Sequence, residues 1–232
     1  MKRRNFLKII SLSLIFPNLS FAGLLDYFKK SKQELPPEGK YTPEDKLFIV
    51  DIKGVPSQVK NLDLKEYRLK VYGKVKNSVS LSLDEIKSLK SVERDVVLEC
   101  VSNARGDKIG RIKVKGVLLE DILHIVSPDK TAKEVVFRSF DGYHTSIELD
   151  YIKNYHPILV YGINKDEDGK VIKDLSLDHG YPLRVICPEK WGYKSAKWLK
   201  EIEVVDYDYK GYWEKSGWSD RALRRVDYFD VK

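Results

Sequence analysis

The stretch Val96-Val97-Leu98-Glu99-Cys100-Val101-Ser102-Asn103-Ala104-Arg105-Gly106-Asp107-Lys108-Ile109-Gly110 runs three apolar β-forming residues into a single thiol. Small, polar and glycine residues follow it. That order predicts a buried strand that opens into a loop at Cys100. A sulfur in such a place is either a packed core atom or a ligand at the mouth of a pocket.

Outward from this strand, the chain alternates short apolar runs with turns. Tyr67, Leu69 and Val71 alternate with Arg68, Lys70 and Tyr72, the period of a half-buried strand that ends at Gly73. Ser82 with Glu85 three residues on is a capping box that opens a short helix with Ile86 and Leu89 on its apolar side. Leu47 to Val50, Ile112 to Val114, Val135 to Phe137, Thr145 to Leu149, Ile158 to Tyr161, Leu183 to Cys187 and Trp198 to Val204 read as further strands. A second short helix follows Gly116 and stops before Pro128. Many short strands with a few short helices predict an α+β fold of mixed sheets.

With 232 residues, 42% hydrophobic and 33% charged, the chain has the composition of a soluble globular protein with room for one real core. The net charge of +7 is concentrated at the start: residues 1–22 hold Lys2, Arg3, Arg4 and Lys8 and no acid, which leaves +3 on a well-mixed remainder. Nothing in that balance points to nucleic acid. The Lys2-Arg3-Arg4 start, the apolar run Ile9 to Phe16 and the small residues at Ser20-Phe21-Ala22 read as a twin-arginine signal peptide over 1–22. Pro17 and Asn18 break the run well short of the roughly 20 residues a spanning helix needs. A periplasmic location follows as the expectation. Residues 23–45 read as a linker or loosely docked arm, and 46–232 as the domain itself. Cys100 and Cys187 are the only cysteines, and their dissimilar contexts argue for two free thiols rather than a bridge.

Four loops, each just after a strand, carry the candidate chemistry: the Cys100 loop, Asp141-Gly142-Tyr143, His179-Gly180-Tyr181-Pro182-Leu183-Arg184, and Trp191-Gly192-Tyr193-Lys194-Ser195-Ala196-Lys197-Trp198. Glycines let backbone N–H groups approach a ligand, while His, Arg and Lys favour an anion. One thiol with several anion-binding loops suggests a metal cofactor with a phosphate tail. No Cys-x-x-Cys or His-x₃-His spacing accompanies Cys100, which argues against zinc. A Cys/His nucleophile pair with His144 or His179 stays open on the residues alone, although no thiol-protease signature is present. The acidic turn Lys165 to Lys170 has the wrong spacing for an EF-hand.

From about Phe48 to Trp213 the chain resembles the molybdopterin-binding domain of the sulfite oxidase family, close to its bacterial twin-arginine-exported members. The carriers are Glu99-Cys100-Val101-Ser102-Asn103 with Gly116-Val117 beyond, Phe137 to Asp141, His179 to Arg184, and Gly192-Tyr193-Lys194 followed by Lys197-Trp198-Leu199. The resemblance implies a sulfite oxidase-type fold and molybdenum-molybdopterin as cofactor, with Cys100 as the thiolate ligand of the metal. It implies that His179 and Arg184 hold the pterin and its phosphate, and that Gly192, Tyr193 and Lys194, with Lys197 beyond them, wrap that phosphate. Asp141 would contact the pterin, and Asn103 would shape the Cys100 loop and be counted with the cofactor site. Arg105 lies where sulfite-oxidising members bind the substrate anion. Tyr209, with Tyr212 as a second choice, is the candidate for a tyrosine near the metal.

The chain departs from sulfite-oxidising relatives at Phe48-Ile49-Val50-Asp51-Ile52, where an arginine and a histidine are replaced. A pocket with fewer cations binds a dianion less well. The expectation is therefore an enzyme that transfers an oxygen atom with two electrons, on sulfite or on a sulfoxide such as methionine sulfoxide in proteins. The expected partner is a c-type cytochrome or a membrane haem subunit, since no Cys-x-x-Cys-His motif is present. A monomer is expected from the lack of the family's immunoglobulin-like dimer domain. The rival reading is a non-catalytic exported binding domain that keeps the fold without the metal chemistry; retention of Cys100 is the feature that speaks against it.

Overall fold

The computed structural model describes residues 35–103 and 106–224. The expected signal peptide over 1–22, most of the expected arm and Arg105 lie outside the described residues. The described strands form two five-stranded sheets. In the first, β1 (Leu69–Gly73), β2 (Val79–Leu81), β5 (Glu134–Ser139), β6 (His144–Glu148) and β10 (Leu199–Val205) run in the order β2-β1-β10-β5-β6. Only the β1–β10 pair is parallel. In the second, β3 (Ser91–Glu99), β4 (Ile109–Leu118), β7 (Ile158–Asn164) and β8 (Ile172–Asp174) lie in order, and β9 (Arg184–Ile186) also pairs with β7. The helices are short: α1 (Ser57–Lys60), α2 (Leu83–Ser88), α3 (Leu119–Val126) and α4 (Leu149–Tyr155). This is the mixed α+β architecture read from the sequence.

Local chemistry explains the element ends. Ser82 accepts from the Glu85 N–H while the Glu85 carboxylate accepts from the Ser82 N–H, the expected capping box of α2. The Asp141-Gly142 turn closes the β5–β6 hairpin with Gly142 at φ +84°, a region open to glycine. Strand β3 ends at Glu99, so Cys100 stands where the ladder stops.

One core joins the sheets. Leu69, Val71, Val135, Phe137, Ile202 and Val204 of the first sheet meet Val117, Leu159 and Val185 of the second and the apolar side of α3, whose Ile122 and Val126 are fully buried. The opposite face of the second sheet builds a smaller core from Val96, Leu98, Ile112, Val114, Ile158, Val160 and Ile186, closed by Leu47. Strands β7 and β9 are therefore buried on both faces, which is why Ile158 to Tyr161 of β7 reads as an apolar run, while β9 carries the buried Arg184 at its start.

One expectation is corrected, and another is described only in part. Of the linker or loosely docked arm expected over 23–45, residues 35–45 are described, and they pack on the domain from Tyr41. Tyr41, Thr42, Glu44 and Leu47 are buried, Tyr41 N–H donates to Glu167 O, and the Glu44 carboxylate accepts from the Ser176 N–H and pairs with Lys165. The run Leu47 to Val50 is no strand; Phe48 to Ile52 join no sheet and instead line a cavity. Its apolar character serves a wall, not a ladder.

Gly116 sits on β4 where the β4–β7 ladder shifts register, and a Cβ there would overlap the Leu159 carbonyl oxygen. Gly116→Ala should destabilise the fold by roughly 2–4 kcal/mol through overpacking against backbone. Urea unfolding checks this, and a shift below about 0.5 kcal/mol would show the close approach to be dispensable.

Candidate active site

Cys100 opens onto a cleft of about 1020 Å³, counted out to its solvent mouth. Four separate loops meet there, as the sequence suggested. Val101 and Ser102 accompany Cys100 on one side, Asp141 and Tyr143 come from the β5–β6 hairpin, His179 and Arg184 from the loop into β9, and Gly192, Tyr193, Ser195, Ala196 and Lys197 from the loop before β10. Phe48 to Ile52 form another wall, and Trp213 and Trp218 a further one.

The Cys100 loop is built by its own backbone and by Asn103. The Cys100 N–H donates to Lys108 O and the Asn103 N–H to Cys100 O, at 3.0 Å each. The Asn103 side chain donates to the Glu99 carboxylate and accepts from the Lys108 N–H. Asn103 is thus absorbed in shaping the loop and does not line the cleft. Cys100 Sγ lies 3.2 Å from Ser102 Oγ and is partly exposed, whereas Cys187 is buried, bonded to Lys194 O and pushed up to about 12 by desolvation. Both cysteines are free, as expected, and only Cys100 faces the cleft.

Arg184 is the unusual charge. Its guanidinium is buried, donating to His179 O at 3.0 Å and Ser195 O at 3.1 Å. Its Nε has no hydrogen-bond partner among the described residues, and no carboxylate lies within ion-pair distance. Burial draws it down to about 10. A buried cation without a counter-charge costs several kcal/mol unless an anion completes it. Lys197, lowered to about 8 by desolvation and then by Arg184, donates to Asp178 O and is 3.4 Å from the Asp51 carboxylate. Gly180 lets these cations converge, since a Cβ there would press on the Cβ atoms of Arg184 and Lys197. His179 is drawn down to about 4 by desolvation and by Arg184, so at neutral pH its ring carries no charge.

The Gly192 turn (Gly192–Lys194) lies against the Cys100 strand end, where a Cβ on Gly192 would stand 3.0 Å from Glu99 O. Trp198 follows the loop at φ +51°, a strained place for an aromatic residue, held there by full burial and by its indole N–H donating to Leu177 O. Asp141, raised by desolvation, accepts from the Tyr143 N–H. It adds an acceptor to the cleft opposite in sign to the cations.

Besides Asn103, three expected site residues stand elsewhere or undescribed. Lys194 is fully buried and paired with Glu214, so it does not line the cleft. Tyr209 is not a lining residue either: its hydroxyl is engaged by Arg138 and His144, which draws it into the cluster on β5 and β6. Arg105 lies outside the described residues. Sequence reasoning placed Phe48 to Ile52 at the pocket but on a strand, gave Tyr143, Ser195 and Ala196 of its candidate loops no role of their own, and missed the tryptophans at 213 and 218. The signal for the last was present as an aromatic tail, but only the packing says which of its rings line the cleft.

The donor set fits a molybdopterin-type group. Among the described residues no three His, Cys, Asp or Glu side chains cluster to hold an ion. A metal here would need ligands beyond Cys100 from outside the protein, as a dithiolene provides. Arg184 and Lys197 suit a phosphate, and Asp141 suits ring N–H donors.

Comparison with known proteins agrees. Residues 55–213 match the family profile described as oxidoreductase molybdopterin binding domain. The chain is 29% identical over 161 residues to YuiH, an uncharacterized oxidoreductase of Bacillus subtilis, covering 69% of this chain and 76% of that one. It is 31% identical over 162 residues to a provisionally named protein-methionine-sulfoxide reductase subunit, YedZ1, of Azospira oryzae, covering 70% and 58%. It is 30% identical over 203 residues to mitochondrial sulfite oxidase of Drosophila melanogaster, covering 76% of this chain but 33% of that protein. Among solved structures, the sulfane dehydrogenase SoxCD of Paracoccus pantotrophus shares the fold, with a TM-score of 0.61 at 14% identity over 88% of this chain and 59% of that one.

His179 makes a pH prediction. Its folded value near 4 lies below the ordinary value of 6.5, so between those pH values the unfolded chain binds the extra proton. Stability falls as pH drops from about 6.5 towards about 4, by up to about 3 kcal/mol. Denaturation of cofactor-free protein at pH 7 and pH 4 should show a smaller pH difference in His179→Asn than in the parent; equal differences would contradict the buried neutral ring.

Proposed function

The chain belongs to the sulfite oxidase family of oxidoreductases with a molybdopterin-binding domain, and on that premise we propose that it is an exported enzyme whose Cys100 ligates the molybdenum and whose substrate is a sulfoxide. Family membership makes it a molybdenum-dependent oxidoreductase with molybdenum-molybdopterin as cofactor. When bound, that group supplies two-electron oxygen-atom transfer.

One observation carries the reading: the same cleft presents the partly exposed Cys100 thiol and a buried Arg184 guanidinium whose Nε is open. A thiolate is a soft ligand suited to such a metal. Arg184 and Lys197 would bind the phosphate, with Gly192 and its neighbours close enough for backbone contact. Asp141 would accept from the pterin. Neutral His179 can orient a polar group without adding charge. Phe48, Ile49, Val50, Trp213 and Trp218 keep water from the reacting atoms.

The substrate side favours a neutral molecule. The lining cations among the described residues, Arg184 and Lys197, both serve the cofactor in this reading, and the remaining wall is mainly apolar and aromatic, with Asp51 turned to Lys197. A sulfoxide with apolar arms suits that wall; a sulfite dianion would need a further cation. Arg105, five residues after Cys100, is the residue that favours the second reading, sulfite oxidation. Electrons would pass through a c-type cytochrome or a membrane haem subunit. Export by the twin-arginine route is proposed from Arg3-Arg4 and the apolar run after them.

Protein made with intact export and cofactor pathways should carry one molybdenum per chain, and Cys100→Ser should lose activity with either substrate. Full molybdenum content and turnover in Cys100→Ser would remove the ligand role. Reduced viologen with methionine sulfoxide should support turnover, while sulfite with an artificial acceptor should support little. The reverse pattern, abolished by Arg105→Ala, would establish the sulfite reading. Replacing Arg3 and Arg4 by lysines should hold the chain in the cytoplasm, as cell fractionation will report.

A further inference from the structure

Lys194 and Glu214 form a buried ion pair beneath the cleft, with side chains 1% and 0% exposed. Lys194 Nζ donates to Glu214 Oε1 at 2.5 Å and to Ser146 O at 2.9 Å, and Thr145 Oγ1 donates to the same Glu214 oxygen at 2.6 Å. The pair therefore ties three elements together: the Gly192 turn, strand β6 and the short turn Glu214–Ser216. Two of these carry adjoining parts of the cleft wall, and the Tyr193 and Trp218 rings stand 6.4 Å apart. Gly192 and Tyr193 precede Lys194 directly, and Trp213 and Trp218 flank Glu214.

Secondary contacts run the same way. Tyr143 donates its hydroxyl to Tyr193 O, Tyr193 donates to Ser219 O, and the Tyr212 N–H donates to His144 O. Of these, only the Lys194–Glu214 link is buried and charged on both sides. Its geometry is tight: a Cβ on Gly211 would overlap the Glu214 Oε2 atom, which has no hydrogen-bond partner among the described residues. The carboxylate is thus pressed from one side by backbone and held on the other by Lys194.

We propose that Glu214 is a positioning residue of this site: by holding Lys194 it sets the distance between the cofactor-side turn at Gly192 and the aromatic wall of Trp213 and Trp218, and so the width of the substrate entrance. The proposal rests on the family reading for what the cleft holds, and is independent of which substrate enters.

Three variants separate reach from charge. Glu214→Asp keeps the charge but shortens the side chain by one methylene. Gly211→Ala keeps every charge and displaces the carboxylate. Glu214→Gln keeps reach and both accepting contacts but leaves Lys194 without its counter-charge. Each is produced as holoenzyme and measured for melting temperature, tryptophan emission with acrylamide quenching, and steady-state kinetics with methionine sulfoxide and reduced viologen. A changed entrance weakens substrate binding more than it moves the reacting atoms, so Glu214→Asp and Gly211→Ala should raise KM about tenfold with kcat less affected, and should red-shift the emission. Glu214→Gln should melt at a lower temperature with KM and emission close to the parent. If KM and emission follow melting temperature across all three, or stay at parental values in Glu214→Asp and Gly211→Ala, the positioning role is wrong. Should the parent turn over no sulfoxide, the substrate reading fails, and emission and quenching in the three variants still decide the role of Glu214.

Discussion

A guanidinium buried without a carboxylate is the constraint around which this molecule is arranged. Arg184 leaves water at the start of a fully buried strand, and the folded chain offers it two carbonyl oxygens, from His179 and Ser195, in place of an acid. Those carbonyls belong to two different loops, so satisfying the cation also brings the loops together at one cleft. The open Nε leaves the cation unfinished in a way that an anionic ligand completes. Burial first, and this cation second, lower the proton affinity of His179 and Lys197 nearby.

Around that cation the fold divides labour between its two sheets. The second sheet brings Cys100 to the end of β3 and Arg184 to the start of β9, both in a rigid, well-buried frame. The first sheet supplies the β5–β6 hairpin with Asp141 and Tyr143, and its strand β10 follows the 192–197 loop. The cleft lies where loops from both sheets meet, which allows ligand contacts to vary without disturbing the ladders. The strained backbone at Trp198 stands between that loop and β10, and its full burial is what sustains the strain.

Burial also separates residues that look alike in the sequence. Lys194 and Lys197 are three apart in one loop, yet one is sealed in an ion pair with Glu214 and the other reaches the cleft. Tyr209 and Trp213 are four apart in one aromatic tail, yet Tyr209 joins Arg138 and His144 while Trp213 faces the cleft. Neither distinction has a local signal. It depends on a carboxylate twenty residues downstream for Lys194, and on β5 and β6, over sixty residues upstream, for Tyr209.

Much was nonetheless legible. Alternation in β1, the capping box at Ser82, the Asp141-Gly142 hairpin and the apolar run at the start of β7 are consequences of local periodicity and turn chemistry, which the amino acids determine by themselves. The strand end at Cys100 and the four loops rich in glycines and cations were legible in the same way, whereas the choice of Asp141, His179, Arg184, Gly192, Tyr193 and Lys197 within them came from the family resemblance. Tertiary structure alone decided that Phe48 to Ile52 form a wall instead of a strand, because an apolar run can satisfy either a ladder or a cavity. It alone decided which lysine binds and which holds, because a charge acquires its role from the partners that burial leaves within reach.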